Sequence, residues 1–310
     1  MKIFDAVVIG GGPAGLTAAL YLVRGGLTTA LIEKATDGGQ VLSTAEIENY
    51  PGFPQGIAGW ELADKFSEHL NAYPVERIRG SVSSIDGADG MHVIRMSDNA
   101  KVISARTVVI ATGARHSKLG LADEERLTGK GVSYCAVCDG NFYRGLDVAV
   151  VGGGNSALEE SLYLSRIASH VTLIHRRDAF RGAKVYADKL ESMGDKVELV
   201  RSSVIESLEG QDALAAVHVR NVTTGEVRRI PADGLFIYVG NVPNADFVPA
   251  GVERDGKGFI VTDQEMRTAV PGIFAAGDIR VKGCRQVSSA VGDGATAATS
   301  AIAYLEQLHA

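Results

Sequence analysis

A strand–glycine–helix–strand pattern occurs twice in this chain of 310 residues and limits its possible folds more than any other feature. The copies are DAVVIGGGPAGLTAALYLVRGGLTTALIEK, residues 5–34, and DVAVVGGGNSALEESLYLSRIASHVTLIHR, residues 147–176. Each has a β-branched run, glycines at the spacing G-x-G-x-x-G/A, a helical stretch and a second apolar run. A dinucleotide-binding turn needs this order, because the backbone must turn tightly, approach a pyrophosphate and bring helix against strand. The pattern predicts two Rossmann-like α/β units.

The two copies place their small residues at matching positions. These positions are Gly10, Gly12 and Gly15 in the first copy, and Gly152, Gly154 and Ala157 in the second. The apolar runs beside them predict buried parallel strands at residues 6–9, 29–32, 148–151 and 171–174.

The copies differ at the end of the second strand. Twenty-three residues after the first glycine, the first copy has Glu33 and the second has His175. A carboxylate here accepts hydrogen bonds from ribose hydroxyls, which predicts FAD or NAD in the first copy. The second copy continues with Arg176, Arg177 and Arg181, which suit a 2′-phosphate, although basic runs also occur on solvated surfaces. We predict NADP(H) there, preferred over NAD(H) by about a hundredfold or more. Together the copies indicate a flavin and a nicotinamide.

Length and composition exclude other classes of protein. The length predicts two domains, and the formal net charge of −6 gives no electrostatic reason to expect nucleic acid. No apolar stretch reaches the roughly 18 residues that span a bilayer, so no membrane association is expected. The N-terminal residues are typical of a first strand rather than a signal peptide.

Two of the three cysteines, Cys135 and Cys138, form a C-x-x-C motif just ahead of the second glycine motif. Three cysteines make no disulfide framework, which predicts a reducing cytoplasm. A structural zinc needs further ligands, and the remaining Cys284 is remote, so no metal is expected. The pair is therefore predicted to be a redox centre. Asp139 either relays a proton to a thiolate or is simply a turn residue.

The intervening segments predict the organisation of the chain. Residues 37–53 are typical of a loop long enough to wrap a cofactor, and residues 59–70 predict an amphipathic helix. Residues 115–131 and 240–243 are predicted to cross between domains. A strand at 273–276 precedes Asp278, which either caps a turn or accepts a bond from a ligand hydroxyl.

These motifs, in this order, resemble the low-molecular-weight bacterial thioredoxin reductases over essentially the whole chain. The resemblance rests on GGGPAGLTAALY, GGQVLSTAEIENYPGF, ATGA, CAVCDG, VVGGGNSALEESLYLSRIASHVTLIHRRDAFR and GIFAAGDIRVKGCRQVSSAVGDGATAA. It implies an α/β fold with two Rossmann-like three-layer domains. The FAD domain would comprise residues 1–115 and 245–310, with the NADPH domain inserted at residues 116–244. The resemblance further implies a cytoplasmic homodimer whose partner is thioredoxin.

The same resemblance implies roles for particular residues. Those for FAD are Gly10, Gly12, Pro13, Ala14, Gly15, Glu33, Gly39, Gln40, Val41, Asn49, Thr112, Gly113, Asp278, Arg285, Gln286 and Val287. Those for NADPH are Gly152, Gly154, Asn155, Ser156, His175, Arg176, Arg177 and Arg181. Cys138 would face the flavin, Cys135 would attack the disulfide of thioredoxin, and Asp139 would be the acid.

The implied activity is thioredoxin-disulfide reduction, with electrons passing from NADPH through FAD and the Cys135/Cys138 dithiol. Because the nucleotide and the cysteines share one domain, the resemblance also implies a domain rotation about segments near residues 115 and 243. Three alternatives stay open. They are the same chemistry with another disulfide acceptor, a flavin-dependent dithiol oxidase, and a non-catalytic flavoprotein that senses NADP(H). The arginines count against the oxidase, and the cysteines with Asp139 count against the sensor.

Overall fold

The computed structural model describes residues 2–44, 46–88, 90–97 and 101–309. The chain divides into two compact units. One unit is formed by Met1–Arg115 together with Val242–Ala310, and the other by His116–Asn241. Each unit contains one copy of the glycine motif.

The chain contains more strands than helices. In chain order the strands are β1 (Ile3–Ile9), β2 (Thr29–Glu33), β3 (Glu46–Ile47), β4 (Ile57–Ala58), β5 (Glu76–Arg79), β6 (Val82–Ala88), β7 (Met91–Met96), β8 (Val102–Ile110), β9 (Ala114–His116), β10 (Val132–Ser133), β11 (Asp147–Gly152), β12 (His170–Ile174), β13 (Val197–Val200), β14 (Ser203–Glu209), β15 (Ala216–Asn221), β16 (Val227–Pro231), β17 (Gly234–Tyr238), β18 (Asn241–Pro243) and β19 (Ile273–Ala275). The helices are α1 (Pro13–Arg24), α2 (Gly59–Asn71), α3 (Glu124–Leu127), α4 (Ala136–Asp139), α5 (Asn155–Leu164), α6 (Lys184–Glu191) and α7 (Val287–His309).

The main sheet of the first unit has the strand order β5-β2-β1-β8-β7-β6, and β19 also pairs with β8. Strands β5, β2, β1, β8 and β19 pair in parallel, whereas β7 and β6 form an antiparallel extension. Along β1, Val7 and Ile9 pack into the core on one face, while Ala6 and Val8 pack with α1 and α7 on the other. Because both faces are covered, this strand is apolar at successive positions.

The second unit is built around a parallel sheet with the order β10-β17-β11-β12-β13. Val148 and Val150 of β11 pack with α5 on one face, and Ala149 and Val151 pack on the other. A separate antiparallel sheet, β14-β15-β16, contributes residues such as Val217 to that second core. This is the predicted α/β fold class.

Most of the predicted elements are present, with differences at their ends. Strand β1 begins at Ile3, earlier than predicted, and the predicted loop 37–53 contains a 3₁₀ turn at Gly39–Ser43 as well as β3. The predicted amphipathic helix is α2, whose Leu62 and Leu70 are fully buried. Strands β9 and β18, in the two predicted crossing segments, pair with each other.

Across the described ranges, no helix has the length and apolar character that a membrane crossing requires.

Candidate cofactor sites and cysteine centre

The first glycine motif forms the turn between β1 and α1. Gly10 has a φ of +109°, and a Cβ there would lie 2.5 Å from the Ala111 carbonyl oxygen. A Cβ on Gly15 would lie 1.8 Å from the Gly10 carbonyl oxygen, so only glycine allows the helix to come this close. A Cβ on Gly12 would meet nothing within 4 Å, and Pro13 occupies the first turn of α1. The N-terminus of α1 is therefore open to a phosphate.

Glu33 ends β2 beside this turn. Its Oε2 accepts the Gly11 N–H at 2.7 Å, and its Oε1 accepts the Ala35 N–H at 2.9 Å. A cavity of about 370 Å³ opens next to it, with Asp37 and Arg77 in its wall. This volume is typical of small-molecule sites. The residues fit the adenosine end of a dinucleotide.

The segment after β2 returns to the glycine motif. A Cβ on Gly39 would come within 3.3 Å of the Gly12 Cα. The side-chain amide of Gln40 donates a hydrogen bond to the Ala114 carbonyl oxygen, and Val41 is buried. These contacts bring the predicted cofactor loop alongside the predicted phosphate site.

Three further hydrogen bonds connect predicted FAD residues to distant parts of the chain. Thr112 Oγ1 donates to the Asn244 carbonyl oxygen at 2.8 Å, and the Asn244 side chain donates to the Thr112 carbonyl oxygen at 2.9 Å. Gly113, the next residue, has a φ of +65°. Asn49 Nδ2 donates to Gln286 Oε1 at 3.1 Å. All of these residues lie in the first unit.

Asp278 lies in a 3₁₀ turn that follows β19. A Cβ on Gly277 would come within 2.9 Å of the Ala14 Cβ, so the turn lies against the start of α1. The Asp278 Oδ1 is buried and has no hydrogen-bond partner among the described residues. Burial raises the pKa of this carboxyl, although Lys282 and Arg285 act in the opposite direction. An unmade buried hydrogen bond costs about 1–3 kcal/mol, which a cofactor hydroxyl would relieve.

Arg285 and Val287 complete the predicted FAD set. The Arg285 guanidinium lies 4.5 Å from the centre of the Phe259 ring, and its Nη1 donates to the Lys282 carbonyl oxygen at 3.0 Å. Its Nε is buried without a described partner. Val287 begins α7 and packs with the core that contains Val41.

The second glycine motif forms the turn between β11 and α5. A Cβ on Gly152 would lie 2.5 Å from the Tyr238 carbonyl oxygen, whereas a Cβ on Gly154 would meet nothing within 4 Å. Ala157, at the third small position, is fully buried and accommodates its methyl group. Ser156 is exposed in the first turn of α5. This helix N-terminus is also open to a phosphate.

The arginine-rich segment after β12 folds back onto that turn. The Arg181 N–H donates to the Gly153 carbonyl oxygen at 2.7 Å. The Ala183 N–H donates to Asn155 Oδ1, also at 2.7 Å. The predicted nucleotide residues of the two segments therefore lie together in the second unit.

His175 lies at the centre of the arginine cluster. Its side chain is 4 % exposed, its Nε2 lies 3.2 Å from the Ala179 carbonyl oxygen, and its ring stacks on Phe180. Burial lowers the pKa of the imidazole, and the nearby arginines lower it further. These arginines are Arg181, Arg176 and Arg177. All three are exposed, and none forms a salt bridge with a described residue. Unpaired guanidinium groups at this position fit a phosphate ligand.

Cys135 and Cys138 are joined by a disulfide around the first turn of α4, with 5.3 Å between their Cα atoms. The Cys138 N–H donates to Cys135 Sγ at 3.2 Å. Asp139 Oδ2 accepts a hydrogen bond from Ser133 Oγ at 2.6 Å. Burial raises the pKa of the Asp139 carboxyl, although the Ser133 hydroxyl acts in the opposite direction. A carboxyl with a raised pKa beside a disulfide can hold a proton for transfer to sulfur.

The remaining cysteine, Cys284, is a free and exposed thiol. In the part of the chain that the structure describes, no group of three or more His, Cys, Asp or Glu side chains is arranged to hold a metal ion.

Three residues that support these sites were not predicted from the sequence. Ser133 bonds the carboxylate of Asp139, Asn244 holds the turn after β8, and the Tyr238 hydroxyl accepts the Ala136 N–H at 2.6 Å. Tyr238 and Ala136 are 102 positions apart. No motif or hydrophobic period points to a contact over that separation.

Comparison with known proteins identifies the family. The family model described as pyridine nucleotide-disulphide oxidoreductase matches residues 4–294. The chain belongs to this family. It is an oxidoreductase, and its family implies flavin and nicotinamide cofactors, which the two groups of residues above fit.

The relatives are similar over their whole length. The chain is 46 % identical to a thioredoxin reductase of Listeria innocua over 310 residues, covering 99 % of this chain and 95 % of that protein. It is 41 % identical to a thioredoxin reductase of Bacillus subtilis over 309 residues, covering 99 % and 96 %. The crystal structure of thioredoxin reductase from Streptococcus pyogenes matches with a TM-score of 0.92 at 45 % identity, covering 98 % and 99 %. The resemblance to low-molecular-weight bacterial thioredoxin reductases is confirmed.

Proposed function

We propose that this chain is an NADPH-dependent thioredoxin reductase. The observation that carries this proposal is the Cys135–Cys138 disulfide, which lies in the same unit as the second glycine motif with the Asp139 carboxyl beside it. The similarity to thioredoxin reductases over nearly the whole chain supports the choice of thioredoxin as the acceptor.

The two cofactors are assigned to separate parts of the chain. Residues 1–115 with 245–310 bind FAD through the open turn at Gly12, the Glu33 carboxylate and the buried Asp278 oxygen. Residues 116–244 bind NADPH through the open turn at Gly154 and the unpaired arginines. When bound, these cofactors supply two-electron hydride chemistry. From the resemblance we also assign a homodimer in the cytoplasm.

The cysteines transfer the electrons to the acceptor by thiol–disulfide exchange. The Cys135 thiolate attacks one sulfur of the acceptor disulfide, forming a mixed disulfide and releasing one acceptor thiolate, which Asp139 protonates. The Cys138 thiolate then attacks Cys135 Sγ. This step restores the Cys135–Cys138 disulfide and releases the second acceptor sulfur, which also takes a proton. The acceptor gains two electrons and two protons, and the cysteine pair is oxidised.

The test follows the flavin and the thiols separately. Purified enzyme under argon is mixed with NADPH or NADH while the flavin absorbance is recorded, and oxidised thioredoxin is then added with a thiol reagent. We expect fast bleaching with NADPH, followed by thiol release in the wild type and in Cys284→Ser. Cys135→Ser and Cys138→Ser should still bleach but release no thioredoxin thiols.

Other outcomes distinguish the alternatives. Bleaching without thiol release would retain the flavin chemistry and indicate a different disulfide acceptor. Absence of bleaching with both nucleotides would contradict the NADPH assignment and favour a dithiol oxidase.

A further inference from the structure

Asp293 of α7 is a buried carboxylate to which the proposed function gives no role. It is 8 % exposed, and it forms salt bridges with two cations. Its Oδ2 accepts a hydrogen bond from Lys282 Nζ at 2.7 Å, and its Oδ1 lies 3.2 Å from Arg280 Nη1. The side chains of both cations are also nearly buried. Burying charged groups is costly even when they are paired, so this cluster calls for an explanation.

The Asp293 carboxylate joins the two ends of the 3₁₀ turn that carries Asp278. Gly277, at the start of the turn, donates its N–H to Asp293 Oδ2 at 3.0 Å, and this bond is buried. Arg280, directly after the turn, reaches Asp293 Oδ1 with its guanidinium group. The bond within the turn, from the Arg280 N–H to the Gly277 carbonyl oxygen, is long at 3.3 Å. Asp278 is therefore held between two residues that share one acceptor outside the turn.

Asp293 is itself fixed relative to the phosphate turn at the start of α1. A Cβ on the next residue, Gly294, would lie 2.2 Å from the Ala14 carbonyl oxygen, so α7 contacts the first turn of α1 at this point. A Cβ on Gly277 would lie 2.9 Å from the Ala14 Cβ. The carboxylate thus connects the turn of Asp278 to the place where α7 and α1 meet. These contacts set the distance between the open phosphate turn and the Asp278 oxygen.

We propose that Asp293 is a positioning residue for FAD that acts through Asp278. It holds the turn so that the buried Asp278 Oδ1, which has no hydrogen-bond partner among the described residues, stays within reach of a cofactor hydroxyl. Such a bond weakens steeply when its distance and angle are lost, so Asp293 need not touch FAD to affect its binding. The inference rests on the proposed function in so far as residues 1–115 with 245–310 bind FAD.

A purely electrostatic role for this cluster would have the opposite sign. FAD carries a negatively charged pyrophosphate, which a nearby carboxylate repels and a nearby ammonium group attracts. If charge alone mattered, removing Lys282 would weaken FAD binding, and removing Asp293 as well would restore it. Positioning predicts the reverse order, because Asp293 still accepts the Gly277 N–H when Lys282 is absent.

The first experiment measures the release of FAD from the holoenzyme. The protein is diluted, and the rise in the fluorescence of free flavin gives the dissociation rate. Lys282→Met should stay within about threefold of the wild type. Lys282→Met/Asp293→Ala keeps the net charge of the wild type but leaves the Gly277 N–H without its acceptor, so FAD should dissociate about tenfold faster. The matched control is Asp86→Ala, which removes an exposed carboxylate paired with Arg95 in the same unit and should leave the rate unchanged.

A double variant that releases FAD no faster than Lys282→Met would overturn the inference. Asp293→Asn provides a second measurement with little change in shape. One amide oxygen cannot replace two carboxylate oxygens that together serve Gly277, Lys282 and Arg280, so FAD should dissociate about threefold faster. Because this variant removes a negative charge near an anionic cofactor, charge alone predicts slower release. An unchanged or slower rate in Asp293→Asn would also overturn the inference.

The second experiment tests whether Asp293 acts through Asp278. In an Asp278→Ala background the acceptor for the cofactor hydroxyl is already lost, so adding Lys282→Met/Asp293→Ala should change FAD release by less than about threefold. In a Glu33→Gln background, which alters the site for the adenosine end, the same addition should still speed release about tenfold. An equal tenfold effect in both backgrounds would indicate a general loss of structure and would overturn the inference.

Failure of the proposed function would be visible separately. A wild type that binds FAD but releases no thioredoxin thiols would contradict the proposed activity alone, and the release rates would still decide the role of Asp293. A wild type that binds no flavin would contradict the FAD assignment and, with it, the role of Asp293.

Discussion

The two copies of the glycine motif differ in the residue at the end of their second strand. In each copy, the residue at the end of the second strand lies against the middle glycine of the turn. Glu33 Oε2 accepts the Gly11 N–H at 2.7 Å, whereas a Cβ on Gly153 would lie 2.1 Å from His175 Cε1. The first copy offers a carboxylate at this position, and the second fills it with a buried ring. In the proposed assignment, the backbone supplies a common phosphate site, and this side chain distinguishes one nucleotide from the other.

Both units have arginines near their glycine motif. They differ in whether a carboxylate forms a salt bridge with the guanidinium group. In the first unit, Arg77 Nη1 lies 2.7 Å from Asp37 Oδ2 and is therefore paired. In the second unit, Arg176, Arg177 and Arg181 have no described acidic partner. A paired guanidinium has little affinity left for a phosphate, while an unpaired one is available to it. We propose that the unpaired arginines of the second unit bind a 2′-phosphate, whereas the paired Arg77 of the first unit does not.

We expect the greatest loss of stability when the residue at the third small position is exchanged between the copies, Gly15 in the first and Ala157 in the second. Gly15→Ala would place a methyl group 1.8 Å from a backbone oxygen that cannot move away, whereas the second copy already has Ala157. We expect Gly15→Ala to lower the free energy of unfolding by about 3 kcal/mol and to weaken FAD retention. Ala157→Gly should cost only about 1 kcal/mol, the usual cost of glycine in a helix. Urea unfolding followed by circular dichroism measures both, and equal losses would contradict the difference in packing.

The next largest effect tests the unpaired arginines. Arg176→Ala/Arg177→Ala removes two charge-assisted bonds to the 2′-phosphate, so KM for NADPH should rise about a hundredfold. KM for NADH, which has no such phosphate, should stay within about threefold. Steady-state kinetics with both nucleotides measures the split, and Arg166→Ala, an exposed arginine of the same unit, serves as the control. Equal increases for the two nucleotides would refute the 2′-phosphate assignment.

A smaller effect is expected from the acid of the first copy. Glu33→Gln keeps the shape and one acceptor oxygen but loses the charge, which makes its bonds to ribose hydroxyls weaker. The FAD dissociation constant should rise about tenfold, measured by titrating apoenzyme with FAD and following flavin fluorescence. Glu61→Gln, on the surface of α2, is the control and should leave FAD affinity unchanged. The ribose role would be wrong if Glu33→Gln bound FAD as tightly as the wild type.

The smallest effect concerns the buried imidazole of the second copy. The pKa of His175 is lowered in the folded state, mainly by burial, so the unfolded chain binds this proton more readily. Stability from this residue is therefore complete above the ordinary pKa of about 6.5 and is lost as the pH falls below it. In His175→Gln the unfolding free energy should depend less on pH between 7.5 and 5.5, roughly a pKa unit on either side of that value.

Urea midpoints of wild type and variant at the two pH values measure this difference. His92 and His116, whose pKa values burial also lowers, are common to both proteins and cancel. An identical difference between the two proteins at both pH values would contradict a neutral, buried His175.

Sequence patterns predicted much of the fold and the composition of the sites, because those signals are local. The glycine spacing, the strand runs and the count from Gly10 to Glu33 all lie within about thirty residues, the length of one βαβ-type unit. Asp278 is an intermediate case. Its place after a strand left a turn cap and a ligand contact equally open, and the family resemblance implied the ligand contact. The buried, unpartnered Oδ1 supports that contact.

Local sequence patterns were enough to predict two α/β units, two dinucleotide motifs of different charge and a redox-type cysteine pair. The side chains that support these features became visible in the folded structure. Tyr238 meets Ala136 across 102 positions, and Thr112 meets Asn244 across 132. Such contacts depend on strand order and on the closure of long loops, which no local period encodes. The tertiary structure likewise left the arginines of the second copy unpaired, because pairing depends on where distant acids lie in space.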